Sequence, residues 1–222
     1  MPENLTFEQA AGIPLAGMTA LQALRAAGIK KGDSVFISGG AGGVGTFAIQ
    51  LAKVYFEASK VTVTCSGAKA ELCKSLGADE IVDYTKLPKG KAFEGMDRQF
   101  DVVFDTTGEA ASMMQLAKKG TTVVSVAKLD SRLAPNANIF IRWVLDFTAR
   151  DAHRNARANG VTFLFWRLSL LREDLALLGE LVAQGKMRTV IDSTFKGLEE
   201  HKKAFERAEQ GRPAGKVVIV LE

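Results

Sequence analysis

Cysteine and histidine are scarce in this chain of 222 residues, which has two of each. Cys65 and Cys73 lack Cys-x-x-Cys spacing. A disulfide framework and a cysteine zinc site are therefore disfavoured, and two reduced thiols in a cytoplasmic setting are expected. His153 and His201 fall on expected helices with no second ligand at suitable spacing, and read as surface or capping residues. No apolar run reaches the roughly 18 residues of a membrane span. The richest stretch, 139–147, is broken by Arg142 and Asp146, so no membrane role is expected. A signal-peptide pattern, internal repeats and low-complexity segments are likewise not apparent. Net charge is only +4, with basic residues dispersed. The local excess at 142–157 also holds Asp146 and Asp151, so it reads as a helix surface and not a nucleic-acid stripe. What remains, 47% hydrophobic and 24% charged, is a soluble globular composition with enough apolar material for a full core.

The most informative stretch is Val35-Phe36-Ile37-Ser38-Gly39-Gly40-Ala41-Gly42-Gly43-Val44-Gly45. A β-branched apolar run feeds a glycine cluster that opens into an apolar helix, expected over 46–56. Gly40, Gly42 and Gly45 fit G-x-G-x-x-G, the turn that lets backbone amides approach a pyrophosphate at a helix N-terminus. Alone the match is weak, because glycine-rich turns recur without ligands. Here a strand precedes it, a helix follows, and a second strand, 60–64, completes a βαβ unit of about 30 residues. A dinucleotide-binding turn is the favoured reading over a purely structural one.

A carboxylate is missing where it would matter for the choice of dinucleotide. An NAD site usually carries Asp or Glu at the end of the second strand, about 20 residues past the glycines. That position is Thr64-Cys65-Ser66 here, with Lys69 close behind. A hydroxyl and an ammonium at the mouth of the next helix suit a 2′-phosphate, which an acid would repel. Ser66 capping the helix and Lys69 as a solvated charge is the bland alternative. The combination points to NADPH.

The rest of the chain alternates. Thr6-x-x-Gln9 reads as a capping box opening a short helix, 7–11, and a second helix is expected over 17–27 after Pro14. Helix 69–76, strand 80–82, a polar loop with a possible short helix at 88–99, strand 100–105, helix 109–118 and strand 121–126 follow. An irregular and helical stretch, 128–158, leads to a sixth strand at 160–165. Such alternation predicts an α/β fold with a doubly wound, six-stranded parallel sheet. Helix 172–184, strand 189–195, helix 198–209 and strand 216–221 exceed the needs of that sheet. They are expected to form a second unit, dividing the chain at 4–170 and 171–222.

The ordered segments Ala10 to Ala20, Gly39 to Gly45, Ser75 to Asp79, Phe100 to Gly108 and Gly215 to Val218 resemble the zinc-free quinone oxidoreductases (zeta-crystallin-like) of the medium-chain dehydrogenase/reductase superfamily. The resemblance spans nearly the whole chain, with one large departure. Members carry an N-terminal GroES-like β domain before the segment matched by Ala10, and this chain starts a few residues earlier. It thus resembles the cofactor half plus C-terminal return strands of a truncated GroES-like domain, either as a shortened member or as a fragment. The return strands are then expected to lack sheet partners and to present edges prone to association.

The resemblance also implies site residues. Gly42, Gly43, Val44 and Gly45 would line the pyrophosphate. Ser66 and Lys69 match the 2′-phosphate pair, and Tyr84 an adenosine-side tyrosine that could equally be a half-buried loop aromatic. Thr107, Gly108, Ser125 and Val126 would lie by the ribose and nicotinamide, where ligands of doubly wound sheets sit beyond the strand ends. Thr19 matches a threonine near the nicotinamide but could instead stabilise its helix. Phe163 would flank the ring, although its alternation with Val161 and Phe165 suits strand packing better.

The reaction so implied is hydride transfer from NADPH to a quinone or conjugated enone. A catalytic zinc is disfavoured, because no side chain in the 11–19 segment is Cys, His, Asp or Glu. No general acid is identified, and Asp105 could be simply structural. A homodimer through strand 160–165 is the expected assembly. The alternatives are a cofactor-binding module without turnover and a trans-2-enoyl reductase. Some relatives are associated with RNA, which the weak basic balance does not favour here.

Overall fold

The computed structural model describes residues 5–87, 93, 95, 96, 98–127, 150 and 152–221. Helix α1 runs over Phe7–Ala26. The capping box is present: the Gln9 amide donates to Thr6 Oγ1 at 3.3 Å and the Thr6 amide to Gln9 Oε1 at 3.1 Å. Two helices separated by Pro14 were expected, and one helix passes through it. Pro14 removes one helical donor. The buried face formed by Ile13, Ala16, Gly17, Ala20, Leu21 and Leu24 holds the helix together across that gap. Gly28, at φ 77°, then ends it.

The next elements are β1 (Ser34–Ile37), α2 (Gly43–Val54), β2 (Lys60–Cys65), a 3₁₀ turn (Gly67–Lys69) running into α3 (Ala70–Ser75), and β3 (Glu80–Asp83). After β4 (Phe100–Asp105) come α4 (Ala110–Met113), a 3₁₀ turn (Met114–Leu116) and β5 (Ala117–Ser125). A helix at 152–159 (α5) leads to β6 (Thr162–Phe165), and α6 (Arg172–Ala183) follows. The chain closes with β7 (Ile191–Lys196), α7 (His201–Glu209) and β8 (Lys216–Val220).

The sheet order is β3-β2-β1-β4-β5-β6, with every pairing parallel. Its strands are apolar on both faces because helices cover both. Val35, Ile37, Val61, Val63, Phe104 and Val124 share one core with α1 and α2. Phe36, Val103, Val123 and Phe163 belong to a second, with Met113 and with Ala152 and Ala156 of α5.

The helix expected over 109–118 is shorter, and β5 starts earlier than expected. Between Ala117 and Thr122 the pairing with β4 slips, and Lys118, Lys119 and Gly120 bulge to the surface, with Gly120 at φ 82°. The 128–149 stretch and most of the 88–99 loop lie outside the described residues.

The return strands find partners, contrary to expectation. β7 and β8 pair parallel with each other, and Gly215 makes a bridge to Gly42 of the glycine turn. Strand β7 begins at Ile191 because Thr189 is engaged elsewhere: its hydroxyl donates to the Gln9 carbonyl at 2.8 Å, and its methyl fills the space a side chain at Gly12 would need. Helix α6 docks on α1 through Leu178 against Gly17 and through Asp174, which is 1% exposed. The Asp174 carboxylate accepts from Gln22 Nε2 at 2.6 Å and Arg25 Nη1 at 2.7 Å. Replacing Asp174 with alanine leaves Gln22 Nε2 its bond to the Ser169 carbonyl but strands its second N–H, and urea denaturation should show a loss of about 1–3 kcal/mol.

Candidate cofactor site

The glycine turn sits where the order of the sheet reverses, between β1 and its neighbours β2 and β4. Gly39, at φ 63°, donates its amide to Thr64 Oγ1 and Gly40 donates to the Thr64 carbonyl, both at 2.9 Å. Each glycine of the G-x-G-x-x-G run has its own reason. A Cβ on Gly40 would stand 2.8 Å from Val63 Cβ, and one on Gly45 would collide with the Gly39 carbonyl oxygen and lie 2.8 Å from Gly40 Cα. Gly42 is the N-cap of α2 and supplies no capping side chain. The amides of Gly43, Val44 and Gly45 are therefore first-turn donors with no protein acceptor among the described residues.

A cavity of about 660 Å³ opens beside this turn. Five of the predicted site residues line it: Gly42, Ser66, Lys69, Tyr84 and Thr107. Gly43 and Gly108 adjoin lining residues in sequence, whereas Val44, Gly45, Ser125 and Val126 do not line the cavity, the last two bonding to Asp105. Thr19 lies on α1 and donates its hydroxyl to the Leu15 carbonyl at 2.6 Å. Phe163 lies in the core beneath α5, with its ring 5.4 Å from that of His153.

Ser66 precedes the 3₁₀ turn without capping it by its side chain, so its hydroxyl is not committed there. Lys69 Nζ donates to the carbonyls of Arg212, at 2.5 Å, and Pro213, at 3.1 Å. The end of β2 carries no acid, but β3 brings one alongside. Asp83 sits against Gly67, where a Cβ would be 2.5 Å from its Oδ2. Hydrogen bonds from the Thr85 hydroxyl and amide, from the Gly67 amide, and the charge of Lys86 hold its carboxyl below the usual range. Cys65, at the end of β2, is lowered by the thiol of Cys73 hydrogen-bonded to it. Cys73 is correspondingly raised by that contact and by burial.

Two residues at this edge escape a linear reading. Lys216, at the start of β8, lies across α1 and α2: a Cβ on Gly43 would be 2.9 Å from its Cδ and 3.7 Å from its Nζ. Its ammonium has no acceptor among the described residues. Asp105, fully buried at the end of β4, accepts from the hydroxyls of Ser38 at 3.1 Å and Ser125 at 2.7 Å. Both arrangements join segments far apart in sequence, which no spacing rule captures.

The strand order and the glycine turn at its switch point define a dinucleotide-binding (Rossmann) domain with a small additional sheet. Residues 76–219 match the family model described as "Zinc-binding dehydrogenase", and the chain belongs to that family. It is 39% identical over 221 residues to a 2-methylene-furan-3-one reductase of Solanum lycopersicum, covering 98% of this chain and 48% of that protein. A chloroplastic NADPH-dependent alkenal/one oxidoreductase of Arabidopsis thaliana is 44% identical over 125 residues, 56% of this chain and 31% of that one. The quinone oxidoreductase structure from Coxiella burnetii superimposes with a TM-score of 0.80 at 32% identity, covering 98% of this chain and 62% of that one. The chain thus spans about half the length of the curated relatives it matches. The family is named for zinc, yet no group of three or more His, Cys, Asp or Glu among the described residues could hold a metal ion.

The contact between Gly45 and the Gly39–Gly40 backbone cannot relax by a side-chain movement. Gly45→Ala should cost about 1–3 kcal/mol in urea denaturation and weaken cofactor binding in calorimetry.

Proposed function

We propose that this chain binds NADPH and forms the cofactor half of an oxidoreductase that reduces quinones or conjugated enones. The observation that carries this reading is one cavity bringing the glycine turn together with Ser66, Lys69 and Tyr84, beside unpaired first-turn amides. Its volume, about 660 Å³, is that of a small-molecule site. The names of the relatives, an enone reductase, an alkenal/one oxidoreductase and a quinone oxidoreductase, supply the substrate class.

In this reading the Gly43, Val44 and Gly45 amides hold the diphosphate, with the Lys216 ammonium adding a charge-assisted contact. Ser66 and Lys69 hold the 2′-phosphate, and Tyr84 covers the adenosine side. Thr107, Gly108, Ser125 and Val126 shape the edge for ribose and nicotinamide. Thr19 and Phe163 are at most peripheral, given what already engages them. The bound reduced nicotinamide supplies a hydride, and the protein fixes its orientation and excludes water.

Residues 4–170 form the cofactor domain in this scheme and 171–222 the C-terminal part of a substrate domain, supported by the separate β7–β8 sheet. Strand β6 ends the sheet order, which suits pairing across a homodimer. Among the described residues no helix is long and apolar enough to cross a membrane, and a cytoplasmic setting is our reading. Because the chain spans about half its relatives, a binding module without turnover is the second reading. Saturable NADPH binding with no oxidation across quinones and enones would favour it.

Lys69→Ala should weaken NADPH binding about tenfold or more in calorimetry while leaving NADH within about twofold. Equal losses would remove the 2′-phosphate assignment. Lys216→Gln should weaken both cofactors alike, and the loss should shrink as salt screens the charge. A loss confined to NADPH would place Lys216 elsewhere.

A further inference from the structure

The edge of the sheet carries two clusters of consecutive backbone amides, and they are in opposite states. In the first, the amides of Gly43, Val44 and Gly45 have no acceptor among the described residues. In the second, every amide from Thr107 to Ala110 points at one internal carboxylate. Asp105 Oδ1 accepts from the amides of Thr107 at 3.0 Å, Gly108 at 2.9 Å and Glu109 at 3.1 Å, and Oδ2 accepts from that of Ala110 at 3.1 Å. Gly108, at φ 90°, allows the chain to wrap round the anion. Such concave runs of amides are anion sites in their own right. No lysine or arginine among the described residues pairs with Asp105, and the groups that meet its fully buried oxygens are backbone amides and hydroxyls.

The same carboxylate ties three strand ends together. It receives the Ser38 hydroxyl from the exit of β1, where the glycine turn begins, and the Ser125 hydroxyl from the end of β5. Ser38 in turn accepts from the Thr106 amide at 2.9 Å and the Thr107 hydroxyl at 3.1 Å. Thr106, Thr107 and Glu109 line the cavity.

We infer that Asp105 is a positioning residue for the nicotinamide half of the cofactor: it fills the 107–110 amide cluster with a built-in anion, fixes that loop against β1 and β5, and leaves the glycine turn, of these two clusters, open for the diphosphate. This deepens the cofactor reading and rests on it. Asp105 touches no ligand itself. Its influence passes through Thr107, Glu109 and the turn.

Asp105→Asn keeps the volume but removes the charge and replaces one acceptor by a donor facing donors. Calorimetry on the full chain with NADPH and with adenosine 2′,5′-bisphosphate separates the two halves of the site. The variant should bind the bisphosphate within about twofold of the unaltered protein and NADPH about tenfold or more weakly. It should also lose the fluorescence enhancement of bound reduced nicotinamide. A merely structural role would weaken both ligands together, and that result overturns the inference, as does unchanged NADPH binding. If Asp105→Asn fails to fold, Ser125→Ala decides: it removes one donor to Oδ2 and should give the same selective loss in milder form, whereas parallel or absent losses overturn the proposal. Failure of the unaltered protein to bind either ligand would sink the cofactor reading instead, which keeps the two failures apart.

Discussion

A close backbone approach that only glycine permits joins Gly45 in the first turn of α2 to the Gly39–Gly40 peptide at the exit of β1. Because of it, the five-residue turn from β1 folds back tightly onto the start of α2, whose N-cap, Gly42, supplies no capping side chain. The first-turn amides of α2 have no acceptor among the described residues, a state that costs stability if they are buried and is relieved by an anion. The neighbouring glycines serve the same end. Gly40 lets β2 come close enough for Thr64 to hold the Gly39 and Gly40 amides, which fixes the turn before any ligand arrives. A preformed turn avoids an ordering cost on binding.

The C-terminal segment completes what the turn begins. The Gly215 amide donates to the Ala41 carbonyl at 2.8 Å, and Lys69 reaches over to the Arg212 and Pro213 carbonyls. Gly211 and Pro213 therefore become part of the cavity wall although they lie well over a hundred residues from the turn. Lys216 sits beside Gly43 with no acidic partner among the described residues. A cation at a helix N-terminus is unfavourable, since it meets the positive end of the helix dipole. That placement makes sense when a polyanion lies between them. The small β7–β8 sheet, anchored further by Arg207 on Asp192 at 2.6 Å, acts as the frame that holds this segment in place.

Local chemistry was legible in the sequence and long-range chemistry was not. The glycine spacing, the apolar strands and the alternation of elements gave the six-stranded parallel sheet, because each rests on short-range sterics and periodicity. Pro14 misled because it is the usual helix breaker, and only the buried face around Ile13 and Leu21 reveals why the helix survives. The bulge at Lys118–Gly120 reads as a helix end because two exposed lysines and a glycine look alike in both settings. The return strands looked orphaned because sequence alone does not show that they pair with each other. The Ser66 and Lys69 pair proposed for a 2′-phosphate was read from the missing acid on β2. Lys216 and the Asp105 network were not, since each is defined by groups that meet only after folding.

Asp83 shows why presence of an acid is a weaker criterion than its orientation. A carboxylate near the ribose end would ordinarily favour a free 2′-hydroxyl and repel a phosphate. Here the Asp83 oxygens are already turned to the Thr85 amide at 3.0 Å and hydroxyl at 2.6 Å, and to the Gly67 amide. Lys86 stands 3.8 Å from Oδ2 and offsets part of its charge. An acceptor so occupied has little capacity left for a ribose hydroxyl. The Ser66 hydroxyl and the Lys69 ammonium remain on the cavity wall, and among the described residues Lys69 holds only neutral carbonyls, which a doubly charged phosphate can outcompete. In the proposed reading, hydrogen-bond supply, and not a simple tally of charges, is what favours the phosphate at this end of the site.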